Sequence, residues 1–232
     1  MCNQLKVSFF KFRHFWLFYV AVICMAGLGF SYGFIKLASL GCSVYDAFRE
    51  TNCDTSFLFI LSLISAWFVG SDFSNRTIHH EITLGYSRWS VLSVREMPVF
   101  VSGVILHYVY VFSAMLGVAS ITGFSEMVFT LQDLLWCITI ALQLIAMQSI
   151  ITLISFICAN APAAIAVSVS FTIIACNVLR NFLNETVFNR TVFFLAPNNA
   201  NETLALASKV AVATLVITIT LTYFLFRKRE IK

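Results

Sequence analysis

The side chains best suited to chemistry in this 232-residue chain are four histidines, seven cysteines and a scatter of serines. Little in their spacing favours catalysis. His79-His80-Glu81 offers metal-binding residue types. Neighbours on a helix point about 100° apart, however, and the H-E-x-x-H spacing that puts two histidines on one face is missing. No C-x-x-C pair exists. Cys24, Cys137, Cys158 and Cys176 fall in apolar runs, where a thiol packs. Cys42 and Cys53 share one polar segment and form a candidate disulfide if that segment faces an oxidising compartment. His107, beside Tyr108 and Tyr110, lies inside a long apolar run. An ionisable group there is a functional candidate by default. It reads either as one half of an interhelical hydrogen bond or as a proton relay. No acid within an apolar run completes a His–acid set, and no Ser–Lys pair lies at membrane depth, so an intramembrane enzyme would rest on His107 alone. The G-x-x-x-x-G-K-[ST] phosphate loop is absent, and no Gly-Lys step occurs, so ATP binding is not expected in this chain. We read it as a non-enzyme.

The elements that must hold these residues are helices in lipid. Hydrophobic residues make up 59% of the chain, with 24 Phe, and charged residues only 11%; soluble domains carry about 25% charge. A spanning helix needs about 20 apolar residues, and its backbone must be paired internally. The expectation is an all-α, polytopic membrane protein, one domain over 1–232, with six transmembrane helices. They fall at about 15–35, 56–70, 97–119, 134–159, 163–179 and 209–226. The second is short and needs its polar flanks or a thinned bilayer.

With both termini cytoplasmic, Lys6, Lys11, Arg13, Arg76, Arg88, Arg95, Arg227, Lys228, Arg229 and Lys232 lie inside. Lys36, Arg49, Arg180, Arg190 and Lys209 lie outside, the remaining five of the 15 bases. The positive-inside rule favours this orientation. The acids Asp46, Glu50, Asp54, Glu126, Asp133, Glu185 and Glu202 gather on the outer side. A formal charge of +4 is too small and too scattered for nucleic acid. Residues 3–14, NQLKVSFFKFRH, mix bases with Phe9, Phe10 and Phe12, as in a helix lying in the interface. The apolar run that follows ends in no clear small-x-small site, so a retained span is expected rather than a cleaved signal.

Residues 70–96, GSDFSNRTIHHEITLGYSRWSVLSVRE, interrupt the apolar pattern. A helix of about three and a half turns is expected from Asp72 to Leu84. Asp72 and Arg76 are spaced to pair at i,i+4. Ile78 and Ile82 share one side, and Phe73, Thr77, His80 and Leu84 another. Two apolar ridges suit a helix that touches two surfaces, its own bundle and a partner. Gly85 suits the left-handed stop, Ser87 the cap of the next helix, and Pro98 a kink or restart. A plain loop with an interfacial helix is the simpler alternative.

The string Asp72-Phe73-x-x-x-Thr77-Ile78, followed by Gly85-x-Ser87-Arg88 and a base at Arg95, resembles the cytoplasmic segment of type-2 ABC (ATP-binding cassette) exporter permeases. The length, six expected spans and basic tail Arg227-Lys228-Arg229 match that layout. Arg76 stands where the family often has Gly, and His79 where Lys or Arg is usual. The resemblance implies that 72–90 is a coupling segment, with Asp72, Phe73, Arg76, Thr77, Ile78, Glu81, Gly85, Ser87 and Arg88 facing or supporting a separate ATPase subunit. ATP and Mg would reside on that partner. A second permease copy, identical or related, is implied as well. The family's path between second and fifth spans points here to Ser62, Ser65, Trp67, Ser168, Thr172 and Asn177. Such a mildly polar, uncharged lining implies an amphipathic cargo such as a peptide or antibiotic, exported across the cytoplasmic membrane. A non-transporting immunity or binding subunit shares the layout.

Five smaller expectations complete the reading. Gln143, Gln148 and Asn177 serve as polar glue between helices. Lys209 snorkels to the outer interface, and Arg95 with Glu96 forms an interfacial pair or anchor. The outer segment 180–208, with Phe193, Phe194 and Leu195 beside Pro197, folds as short re-entrant helices or as a loop. Asn184, Asn189 and Asn201 match glycosylation acceptors, as an Asn- and Thr-rich loop does by chance.

Overall fold

The computed structural model describes residues 2–123, 129–178, 191–193 and 195–228. Among these the chain is helical, without a strand. Helix α1 (Cys2–Arg13) precedes α2 (Trp16–Ser31), which continues as a π-helical turn (Tyr32–Leu37) and a 3-10 turn (Ala38–Leu40). Then come α3 (Val44–Asn52), α4 (Leu58–Ser74), α5 (Thr77–Thr83), α6 (Arg88–Thr122), α7 (Leu131–Cys158) and α8 (Ala161–Ile173), the last continued by a π-helical turn (Ile174–Val178). We number the final helix α9 (Asn201–Lys228).

Four of these stretches are long and apolar enough to cross a membrane: Trp16–Leu40, Arg88–Thr122, Leu131–Cys158 and Asn201–Lys228. A fifth arises if α4 and α5, bent by 56°, count as one broken span. Ala161–Cys176 is a shorter apolar helix. The chain is therefore an all-helical protein of membrane type with four or five span-length units among the described residues. The fifth expected span, 163–179, corresponds to this shorter helix. At 17 residues, α4 is about 25 Å long, against a hydrocarbon core of about 30 Å.

Sequence decides how the helices meet. On α2 the buried residues Ala21, Met25, Gly29, Gly33 and Leu37 recur every fourth position. This stripe lies on α6. Gly29 and Gly33 allow a very close approach: a Cβ on either would overlap the carbonyl oxygen of Tyr110 or Ala114. Gly117 on α6 fits against the Phe30 carbonyl in the same way. This is the small-xxx-small packing of membrane helices. Elsewhere α9 packs on α7, and α4 on α8, where Gly70 leaves room for the Ala161 backbone.

Two ends of the bundle can be told apart. One carries α3, whose buried Val44, Ala47, Phe48 and Thr51 face α6 and α7. Sequence reading gave no helix there. The other carries α1, α5, the start of α6 and the end of α9, joined by an aromatic cluster of Phe12, Phe68, Phe73, Phe156 and Phe226. The N-terminal segment is helical, as α1, with Phe12 buried and Val7 and Phe10 exposed.

Two expectations need correction. The helix expected over Asp72–Leu84 is two helices: Asp72, Phe73 and Ser74 finish α4, and the chain turns at Asn75 and Arg76 before α5. Pro98 does not restart α6, which runs unbroken for 35 residues. Within the outer segment, 191–193 and 195–200 are irregular and 201–208 already belong to α9. Glu126, Arg180, Asn184, Glu185, Asn189, Arg190, Phe194, Arg229, Lys232 and the Asn177 side chain lie outside the described residues.

Candidate functional site

The hairpin between α4 and α6 is built from local rules. Arg76 adopts the left-handed conformation (φ 54°) that turns α4 into α5, a conformation costing an L-residue about 1–2 kcal/mol. This accounts physically for a preference for Gly at that position. At the other end of α5, Gly85 (φ 87°) donates its N–H to the Ile82 carbonyl at 3.0 Å, and Tyr86 donates to Glu81 at 3.2 Å. These two bonds make a Schellman stop. The Ser87 hydroxyl accepts from the Ser90 N–H at 3.2 Å and caps α6. Gly85 and Ser87 thus do what their residue types suggested.

A four-membered ionic network locks this hairpin to the bundle. Asp72, at the end of α4, pairs with Lys11 of α1 and lies 3.1 Å from Nε of Arg95 on α6. The other arm of Arg95 reaches Glu81 of α5 at 2.8 Å and donates to the Val91 carbonyl at 3.1 Å. Asp72 and Arg95 are 3% and 2% exposed. Two cations and two anions balance, which is how buried charges persist. Burial first, then the Arg95 guanidinium, lowers the Lys11 ammonium below its ordinary 10.5, with Glu81 opposing. Ser8, Thr77 and Tyr86 join these four side chains around a cleft of about 270 Å³.

This arrangement revises two pairings. Asp72 does not meet Arg76, which is exposed. Arg95 and Glu96 do not form a pair: Arg95 turns to α4 and α5, whereas Glu96 is buried against Thr152 of α7. Sequence reasoning missed Lys11 and Arg95 as members of the site. Their signal was modest: a base on each helix flanking the acidic end of α4.

The two faces of α5 divide as its two ridges suggested. Ile78 is buried and Ile82 partly so, both in the aromatic cluster. His80 and Leu84 are exposed, Leu84 by 64%, beside exposed Tyr86 and Trp89. Phe73 belongs to α4 and is buried on Phe156. Arg88 turns inward: it donates to the carbonyls of Phe226 and Arg227 at the end of α9 and lies over the Phe226 ring.

The proposed path residues divide between the bundle interior and its surface. Ser62, Ser65, Ser168 and Thr172 are buried. Ser65 donates to Leu61 and Gln148, and Thr172 to Ser168. Trp67 is 40% exposed and faces outward. Gln148 does link helices, as expected of polar glue, touching Ser65 on α4 and filling the gap left by Gly103 on α6. Gln143 accepts from the Ala196 N–H at 3.0 Å, so it ties the segment before α9 to α7.

At the α3 end, His107 is buried against the Asn52 backbone, and Tyr110 donates to Asp54 at 2.7 Å. The His107 Nε2 and the Asn52 amide have no hydrogen-bond partner among the described residues. Asp133 collects Tyr45 and Asn199 on one oxygen and closes a capping box with Thr130 on the other. Cys42 and Cys53 are both thiols, and Cys53 donates to the Arg49 and Glu50 carbonyls at 3.4 and 3.5 Å. No cluster of three or more potential metal ligands occurs among the described residues.

No family model, curated protein or solved structure matches the chain. Function is therefore argued from the site itself. The site can fix a short helix rigidly between two long ones while leaving one face of that helix open.

Proposed function

We propose that this chain is the membrane-spanning permease subunit of an ATP-driven exporter of the type-2 ABC kind. In this reading six spans cross the cytoplasmic membrane, both termini face the cytoplasm, and α5 is the coupling helix. A separate ATPase subunit carries ATP and Mg, and a second permease copy, identical or related, completes the transporter. The cargo is an amphipathic molecule such as a peptide or antibiotic.

One observation carries the reading. The α4–α5–α6 hairpin is fixed from within by the Asp72–Arg95–Glu81 chain, yet leaves His80, Leu84 and Tyr86 exposed at its tip. An energy source outside the membrane can bias two states of the bundle only through a stiff element. A floppy loop would absorb the movement.

The test is purification in mild detergent with co-purifying proteins identified by mass spectrometry. The wild-type chain is expected to bring down a stoichiometric protein carrying a phosphate loop. A Leu84→Asp, Tyr86→Asp double variant is expected to lose that protein while keeping its own membrane yield. Wild-type chain that emerges alone, or a variant that retains the partner in full, overturns the reading. Arg88 is a poorer probe, because its replacement also uncaps α9.

A further inference from the structure

Glu96 has no place in the coupling network. It follows Arg95 on α6, and consecutive helical residues point about 100° apart. Arg95 therefore faces α4 and α5, and Glu96 faces α7. The side chain is buried (4% exposed). No Lys, Arg or His nitrogen pairs with it among the described residues. The charged groups on neighbouring elements are committed or distant. Lys11 on α1, Asp72 on α4, Glu81 on α5 and Arg95 on α6 pair with one another. Asp133 on α7, Lys36 beyond α2, and Asp46, Arg49 and Glu50 on α3 lie at the opposite end of the bundle. Arg227 and Lys228 lie at the last turn of α9.

Its polar neighbour is the Thr152 hydroxyl at 3.5 Å. That hydroxyl has one proton, and a shorter bond of 2.8 Å directs it to the Ser149 carbonyl. With its proton spent on that carbonyl, Thr152 Oγ1 has only lone pairs to offer Glu96, across a gap longer than a full O–H···O bond. A carboxylate is also acceptor-only, whereas a carboxylic acid supplies the missing O–H. The hydroxyls about one turn either side of Thr152 on α7 are spent elsewhere. Ser149 bonds Thr218 of α9 and the Ala146 carbonyl, and Ser155 bonds Ile151. A bare carboxylate in such a place is among the costliest groups to bury.

We propose that Glu96 is a proton-binding site between α6 and α7, occupied while the helices are packed as here, with the acid O–H donating to Thr152 Oγ1. The proton leaves when the α6–α7 contact opens to water. Because α6 continues directly from the α5 hairpin, occupancy and hairpin position are linked, each biasing the other by the same free energy.

The experiment is infrared spectroscopy of the full chain in lipid bilayers at about pH 6, where ordinary carboxyls are ionised. The wild type minus Glu96→Gln difference is expected to show one protonated-carboxyl C=O band that shifts on exchange into heavy water. A difference containing only carboxylate bands overturns the proposal. Thr152→Val leaves Glu96 in place and serves if the Gln variant does not fold. It is expected to move the same band to the higher frequency of an acid without an acceptor, and an unmoved band overturns the assignment.

Discussion

Replacing Arg95 with Gln should be among the most damaging single changes at the hairpin. The guanidinium is 2% exposed and touches Asp72 at 3.1 Å, Glu81 at 2.8 Å and the Val91 carbonyl. Breaking a buried ion pair by removing one partner costs about 3–5 kcal/mol, because the charge left behind stays desolvated. Here Asp72 keeps Lys11, and Glu81 borders the cleft, so the low end, about 3 kcal/mol, applies. For a chain of this size that is a fall of about 6–12 °C in Tm. Lys11→Gln removes a partner whose side chain is 42% exposed, which is worth under about 1 kcal/mol. Adding Asp72→Asn to Arg95→Gln removes the stranded charge and should recover at least about 1 kcal/mol. Thermal unfolding in mild detergent measures all three variants, and limited proteolysis reports whether 75–86 has loosened. If Arg95→Gln falls within about 0.5 kcal/mol of wild type, or if Lys11→Gln costs as much as Arg95→Gln, the network does not hold the hairpin.

Three further outcomes are expected. Arg76→Gly relieves the left-handed turn and should raise stability by up to about 1 kcal/mol once glycine's own chain entropy is subtracted; a lower Tm would contradict it. Gly33→Val forces α2 away from Ala114 and should cost about 1–3 kcal/mol, whereas Gly27→Val, with nothing within 4 Å, should be nearly silent in the same melt. The Ser43 hydroxyl, then its N–H, holds the Asp46 carboxyl below its ordinary 3.8. Its cap therefore stabilises α3 fully above that value and fades as pH falls through the lower folded value. Asp46→Asn should lose under about 1 kcal/mol at neutral pH and match wild type in acid, measured by hydrogen exchange across 44–52.

Much of the architecture was legible in the sequence because lipid imposes a simple rule. Backbone groups without water must pair within their own segment, so long apolar runs become helices wherever they lie. The stops and caps at Gly85 and Ser87 were equally legible, since they depend on φ and on a hydroxyl beside the chain, both local properties. The 72–84 segment was misread because its break depends on Arg76 entering a conformation that residue type disfavours. Only the packing of Ile78 and the anchoring of Asp72 and Glu81 on Arg95 fix that turn. Helix α3 was missed because a nine-residue helix gains its stability from Phe48 and Val44 against other elements, not from a periodic run of its own.

The sequence by itself determined that this is a helical protein of membrane type, interrupted by a short polar hairpin with defined ends. Tertiary structure decided which charges meet across that hairpin. Arg95 and Glu96 are neighbours in sequence, but a helix sends them in different directions. One completes an ion pair with residues on two other helices, and the other is left to the hydroxyls of α7. Residue type sets what a side chain can bond, but its partner is fixed only when separate helices pack.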